Sequence, residues 1–115
     1  MGILELEDVR RFRITAVPGD GNAILVMSGE ADLAVAEEIV ELGSVCLAQD
    51  DVRVLTLDLA GLTFIDSTAI GAVIRLHNLA IESGRRVALA YVPYRVQRVL
   101  DVAGVGGLFT APADE

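Results

Sequence analysis

Two runs, residues 52–59 (VRVLTLDL) and 86–92 (RVALAYV), are too continuously apolar to be strands with one wet face, and between them residues 67–83 have helical composition. Strand, helix and strand at this spacing predict a parallel βαβ unit with a right-handed crossover, its first strand central in the sheet and covered on both faces. Upstream, residues 11–17 (RFRITAV) and 22–28 (NAILVMS) are two further β-favouring runs. Pro18-Gly19-Asp20-Gly21 between them supplies fixed and positive φ, so an antiparallel hairpin is expected.

After Gly29-Glu30-Ala31-Asp32, apolar residues recur at helical spacing at Val35, Ala36, Ile39, Val40, Gly43, Cys46 and Leu47, with Glu37, Glu38 and Glu41 on the other side. Asp32 sits where an N-cap belongs and Gly84 where a C′ residue belongs. Pro93 opens a last helix to about Ala103, with Val96, Val99, Leu100 and Ala103 on one face, and Gly104, Gly106 and Gly107 end it. Residues 108–111 read as an edge strand. The order β-β-α-β-α-β-α-β describes an α/β domain with a mixed sheet of four to five strands, an N-terminal hairpin and flanking helices.

The 115 residues suffice for one domain, taken as 1–115 with flexible ends at 1–10 and 112–115. No apolar run approaches the ~18 residues of a membrane span, and residues 1–12 lack the apolar core of a secretory signal, so membrane insertion is not expected and a cytoplasmic address is. Net charge is −8, with 11 acids against 3 arginines in residues 1–52, which disfavours nucleic acid as a partner. All nine basic residues are Arg, which excludes lysine-dependent phosphate loops and Schiff-base chemistry. The one cysteine, Cys46, forms no internal disulfide and reads as a buried hydrophobe.

Catalysis has little to work with. The one histidine, His77, lies ten residues from Ser67 on the same expected helix, ~15 Å along its axis, so the two share no hydrogen bond and no Ser-His-Asp triad is available. No metal or cofactor is expected, and the chain reads as a non-enzyme. Glu37, Glu38 and Glu41 are a solvated helix face, and Arg10, Arg11 and Arg13 belong to an exposed strand surface.

Asp66-Ser67-Thr68 stands apart: an acid and two hydroxyls open a helix whose next six residues carry no charge. A plain helix cap is one reading. The other is a docking surface, because Ser67, Gly71, Ile74, Arg75 and Asn78 fall near one stripe that mixes small, apolar and polar groups. A phosphate on Ser67 would place ~1.5–2 negative charges in that stripe, at a helix end that tolerates them.

These residues carry a resemblance. Gly29-Glu30-Ala31-Asp32 resembles the G-E-x-D of STAS domains, and VLTLDLAGLTFIDSTAIGAVIRL resembles their D-L-S-x-V-x-F-I-D-S-S-G-L, most closely that of bacterial anti-sigma factor antagonists. The resemblance spans nearly the whole chain, and the middle segment is its specific part. It implies a STAS-like fold and a non-catalytic switch. The unphosphorylated antagonist binds an anti-sigma factor that is also a histidine-kinase-like serine kinase, freeing a sigma factor; phosphorylation releases it and a PP2C-type phosphatase restores it. By position the phosphoacceptor is Ser67, with Thr68 the second choice. Asp66 and Asp32 match acids at the surface that meets the partner. Thr68 and Ala69 stand where the family most often has Ser and Gly. The alternative within the family is a docking subunit of a stress-signalling complex or of a lipid-transport ABC system.

Overall fold

The computed structural model describes residues 11–109. Strand β1 (Phe12–Pro18) turns back into β2 (Asn22–Ala31), and a single turn of 3-10 helix (Leu33–Val35) leads into α1 (Ala36–Leu47). Then follow β3 (Val54–Ile65), α2 (Ser67–Glu82), β4 (Arg86–Ala90) and α3 (Tyr94–Val102). The sheet order is β1-β2-β3-β4, with β1 antiparallel to β2 and the other pairs parallel. The hairpin and both crossover units expected from the sequence are therefore present.

Alternation explains the core. Leu25 pairs with Leu57 and Ala23 with Leu55, which in turn pairs with Val87, so one sheet face presents a continuous apolar layer. Ile39 of α1 and Leu76 of α2 close over that layer as part of one buried cluster. Gly43 lies where α1 approaches α2, and a Cβ there would stand 2.6 Å from both Leu76 methyl carbons, so the glycine sets how near the helices come.

Four expectations are corrected. β3 is central, but it is covered fully on one face only: Leu55, Leu57 and Leu59 are buried, whereas Val54, Thr56 and Asp58 are half-exposed. Its chain of apolar residues masked this, because a β-branched residue or a threonine on a partly wet face looks the same in sequence. The strand expected over residues 52–59 runs on through residues 60–65 as part of β3, because their ladder with β2 resumes across register shifts. The edge strand at 108–111 is not found in its described half. Leu108 and Phe109 form a bend, with the Phe109 ring edge-on to His77 at 5.4 Å, while residues 110–111 lie outside the described residues. The ends at 1–10 and 112–115 also lie outside them. Pro93 takes the N-cap position, one residue before the first helical turn.

Candidate functional site

The parallel strands β2 and β3 finish together, Ala31 paired with Ile65, and the two acids that follow them meet at this carboxyl edge. Asp32 has an extended backbone and its Oδ1 accepts the Ala34 N–H at 3.0 Å, capping the 3-10 turn. Asp66 does more. Its N–H donates to the Ala31 carbonyl at 3.0 Å, and its carbonyl accepts the Ile70 N–H at 3.0 Å. Its Oδ1 accepts the Ala69 N–H at 2.9 Å as the N-cap of α2, and its Oδ2 accepts the Leu33 N–H at 3.0 Å. One half-buried carboxylate thus joins the end of β2, the 3-10 turn and the start of α2.

That arrangement presents Ser67 as the first residue of α2. Ser67 and Thr68 are exposed, and neither hydroxyl is hydrogen-bonded among the described residues. Ala69 is fully buried, so its methyl group packs in the core. Further along α2, Arg75 and Asn78 are exposed and Gly71 and Ile74 half-buried, so the expected stripe does lie together on the outer side of this helix. Nothing stands within 4 Å of where a Cβ on Gly71 would be, which leaves open space beside the backbone. Arg75 pairs with Glu37 of α1 at 3.0 Å, an exposed bridge of small energetic weight. Ile74 packs against the core cluster and contributes less to the outer surface than its place in the stripe suggested.

One component escaped the sequence. β4 pairs with β3 only as far as Asp58, so the second half of β3 runs on beyond it, and α3 packs against β3. The last turns of α3 come beside the first turn of α2: Arg98, Val99, Val102 and Ala103 face Ser67 and Ile70 across a groove of about 440 Å³. Val102, which lines this groove with Ser67, is 86% exposed. The signal available was an outward-facing valine on a short helix, which binary patterning alone assigns to solvent.

Among the described residues no group of three or more His, Cys, Asp or Glu side chains is placed to hold a metal, and no helix is long and apolar enough to cross a membrane. Cys46 is buried, and burial pushes its thiol above its ordinary value.

The described residues form a small mixed-sheet domain with an exposed serine in the first turn of a helix that follows a central parallel strand. The chain belongs to the STAS domain family, whose profile matches residues 13–114. Its fold is similar to that of the anti-sigma factor antagonist SpoIIAA in its unphosphorylated form, at 21% identity and a TM-score of 0.72, covering 87% of this chain and 86% of that one. The Bacillus cell fate determinant SpoIIAA in its phosphorylated form matches at 20% identity and 0.66, covering 87% and 89%. A sulfate transporter family protein from Wolinella succinogenes matches at 22% identity and 0.66, covering 78% and 71%.

Proposed function

We propose that this protein is an anti-sigma factor antagonist switched by phosphorylation at Ser67. Unphosphorylated, it binds an anti-sigma factor with serine kinase activity and so frees a sigma factor. Phosphorylated, it dissociates, and a PP2C-type phosphatase returns it to the binding state. Asp32, Asp66, Thr68, Gly71, Ile74, Arg75 and Asn78 surround or extend the contact surface. The protein acts as the substrate of a kinase and carries no catalytic group of its own.

The observation that carries this reading is the free Ser67 hydroxyl at the head of α2, held outward by the Asp66 cap. A kinase needs an accessible hydroxyl on a defined backbone, and a switch needs the added charge to fall inside the contact. The exposed Ser67 Oγ meets the first need, and its place at the head of the α2 stripe supports the second. Thr68 offers a second hydroxyl one residue on.

Incubation with lysate of the source organism and ATP, followed by mass-spectrometric site mapping, tests the assignment. Phosphate on Ser67 in the wild type and none in Ser67→Ala is expected; undiminished labelling of Ser67→Ala moves the site to Thr68. The fold match to a sulfate transporter family protein favours a second reading, a docking subunit that needs no phosphate. In that case wild type and Ser67→Asp retain the same partners with equal yield.

A further inference from the structure

We infer that Arg98 is the in-chain counter-ion of a phosphate on Ser67, reaching it across the groove between α2 and α3. The inference rests on Ser67 as the acceptor and adds how the phosphorylated state is held.

Ser67 and Arg98 line the same groove from opposite helices, with Ile70, Val99 and Val102 supplying its apolar walls. Arg98 makes no ion pair among the described residues; its guanidinium stands 5.9 Å from the Tyr94 ring centre, an exposed contact that is readily given up. Arg75, the exposed cation on α2 itself, is already bound to Glu37 and sits eight residues from Ser67, ~12 Å along the helix. Arg98 is therefore the uncommitted cation of this groove.

Phosphorylation creates the need for it. The phosphate arrives beside the Asp66 carboxylate, which is fixed in place by the Ala69 and Leu33 amides and cannot turn away. The Ala69 N–H is already taken by that carboxylate, and the Ile70 N–H by the Asp66 carbonyl. The first turn thus has only part of its usual donor set left for a new anion. A guanidinium fork matches two phosphate oxygens at once, which a single fixed amide cannot do. Contact with the phosphate would draw the Arg98 side chain across the groove toward Ser67, so the phosphorylated surface differs from the unphosphorylated one in shape as well as charge.

The test encodes phosphoserine at position 67 during translation, so its result does not depend on whether any kinase uses that site. The second ionisation of the phosphate is followed by phosphorus NMR over pH 4–9 in the wild-type, Arg98→Ala and Arg98→Lys backgrounds, with circular dichroism confirming that each is folded. A nearby cation favours the dianion, so the phosphate in Arg98→Ala is expected to titrate about 0.5–1 pH unit higher than in the wild type, with Arg98→Lys between them. The Arg98 side-chain Nε–Hε resonance should also move as the phosphate titrates. Identical phosphate titrations in all three backgrounds, or an Arg98 resonance that does not respond, overturns the inference. Failure of lysate labelling at Ser67 would instead strike the functional reading and leave this contact standing.

Discussion

At the scale of single residues, two positions in the resembling motifs have structural duties that explain their identity. Gly29 has φ +90, and a Cβ there would overlap the Arg11 carbonyl oxygen, which at that point accepts the Glu30 N–H at 2.7 Å. Both the backbone angle and the space require glycine. Gly29→Ala should cost at least about 2 kcal/mol, the sum of a left-handed alanine and a forced backbone shift, read as a lower urea midpoint. An unchanged midpoint would mean that the β1–β2 ladder yields more easily than its register indicates. Asp66 is the second such residue. Asp66→Ala removes a helix cap and the acceptor for Leu33 and should cost roughly 1.5–3 kcal/mol. Asp66→Asn keeps one acceptor for Ala69 but turns an amide donor toward the Leu33 N–H, so its loss should be smaller and accompanied by faster hydrogen exchange at Leu33. Equal losses in the two variants would show that Leu33 draws nothing from this carboxylate.

Elements divide into those legible from their own residues and those defined by distant ones. The span of α2 was readable because its signals are local: Asp66 caps it at Ala69, and Gly84 follows its end with φ +75. Asp32 was readable as a cap for the same reason, though it caps a 3-10 turn before α1 instead of α1 itself. The extent of β3 was not, because Gly61 and Thr63 look like turn residues until β2 is laid beside them; there Gly61 faces Ser28, whose Cβ would lie 2.6 Å from an added one, and Thr63 Oγ1 donates to the Gly29 carbonyl at 3.2 Å. The groove beside Ser67 was hidden likewise, since Arg98 lies thirty-one positions further along the chain and meets it only through the packing of α3. That helix is anchored by few buried side chains, Val96 and Leu100, each 1% exposed. Leu100→Ala should therefore cost about 2–5 kcal/mol and detach α3 from the sheet, whereas Val102→Ser should stay within about 0.5 kcal/mol. Thermal unfolding with hydrogen exchange across residues 94–102 measures both; a mild Leu100→Ala would mean that α3 is held by something other than its apolar stripe.

For the whole molecule, the arrangement separates the proposed phosphoacceptor from the core that holds the fold. Ser67 is exposed, its hydroxyl supports no hydrogen bond among the described residues, and the core beneath begins at Ala69 and Ile70. A negative charge at the first helical position is favoured by the helix dipole by ~0.3–1 kcal/mol and opposed by the neighbouring Asp66, whose own charge is partly satisfied by two amides. The two effects nearly cancel. Ser67→Asp should accordingly change unfolding free energy by less than about 1 kcal/mol, while, on the proposed function, the same charge carried into a desolvated contact should weaken binding to an anti-sigma factor by tenfold or more. Urea unfolding and titration calorimetry on one preparation separate these quantities. A large loss of stability would mean that the charge disturbs the Asp66 hub, making the switch a conformational one; unchanged stability with unchanged affinity would remove charge at Ser67 as the signal.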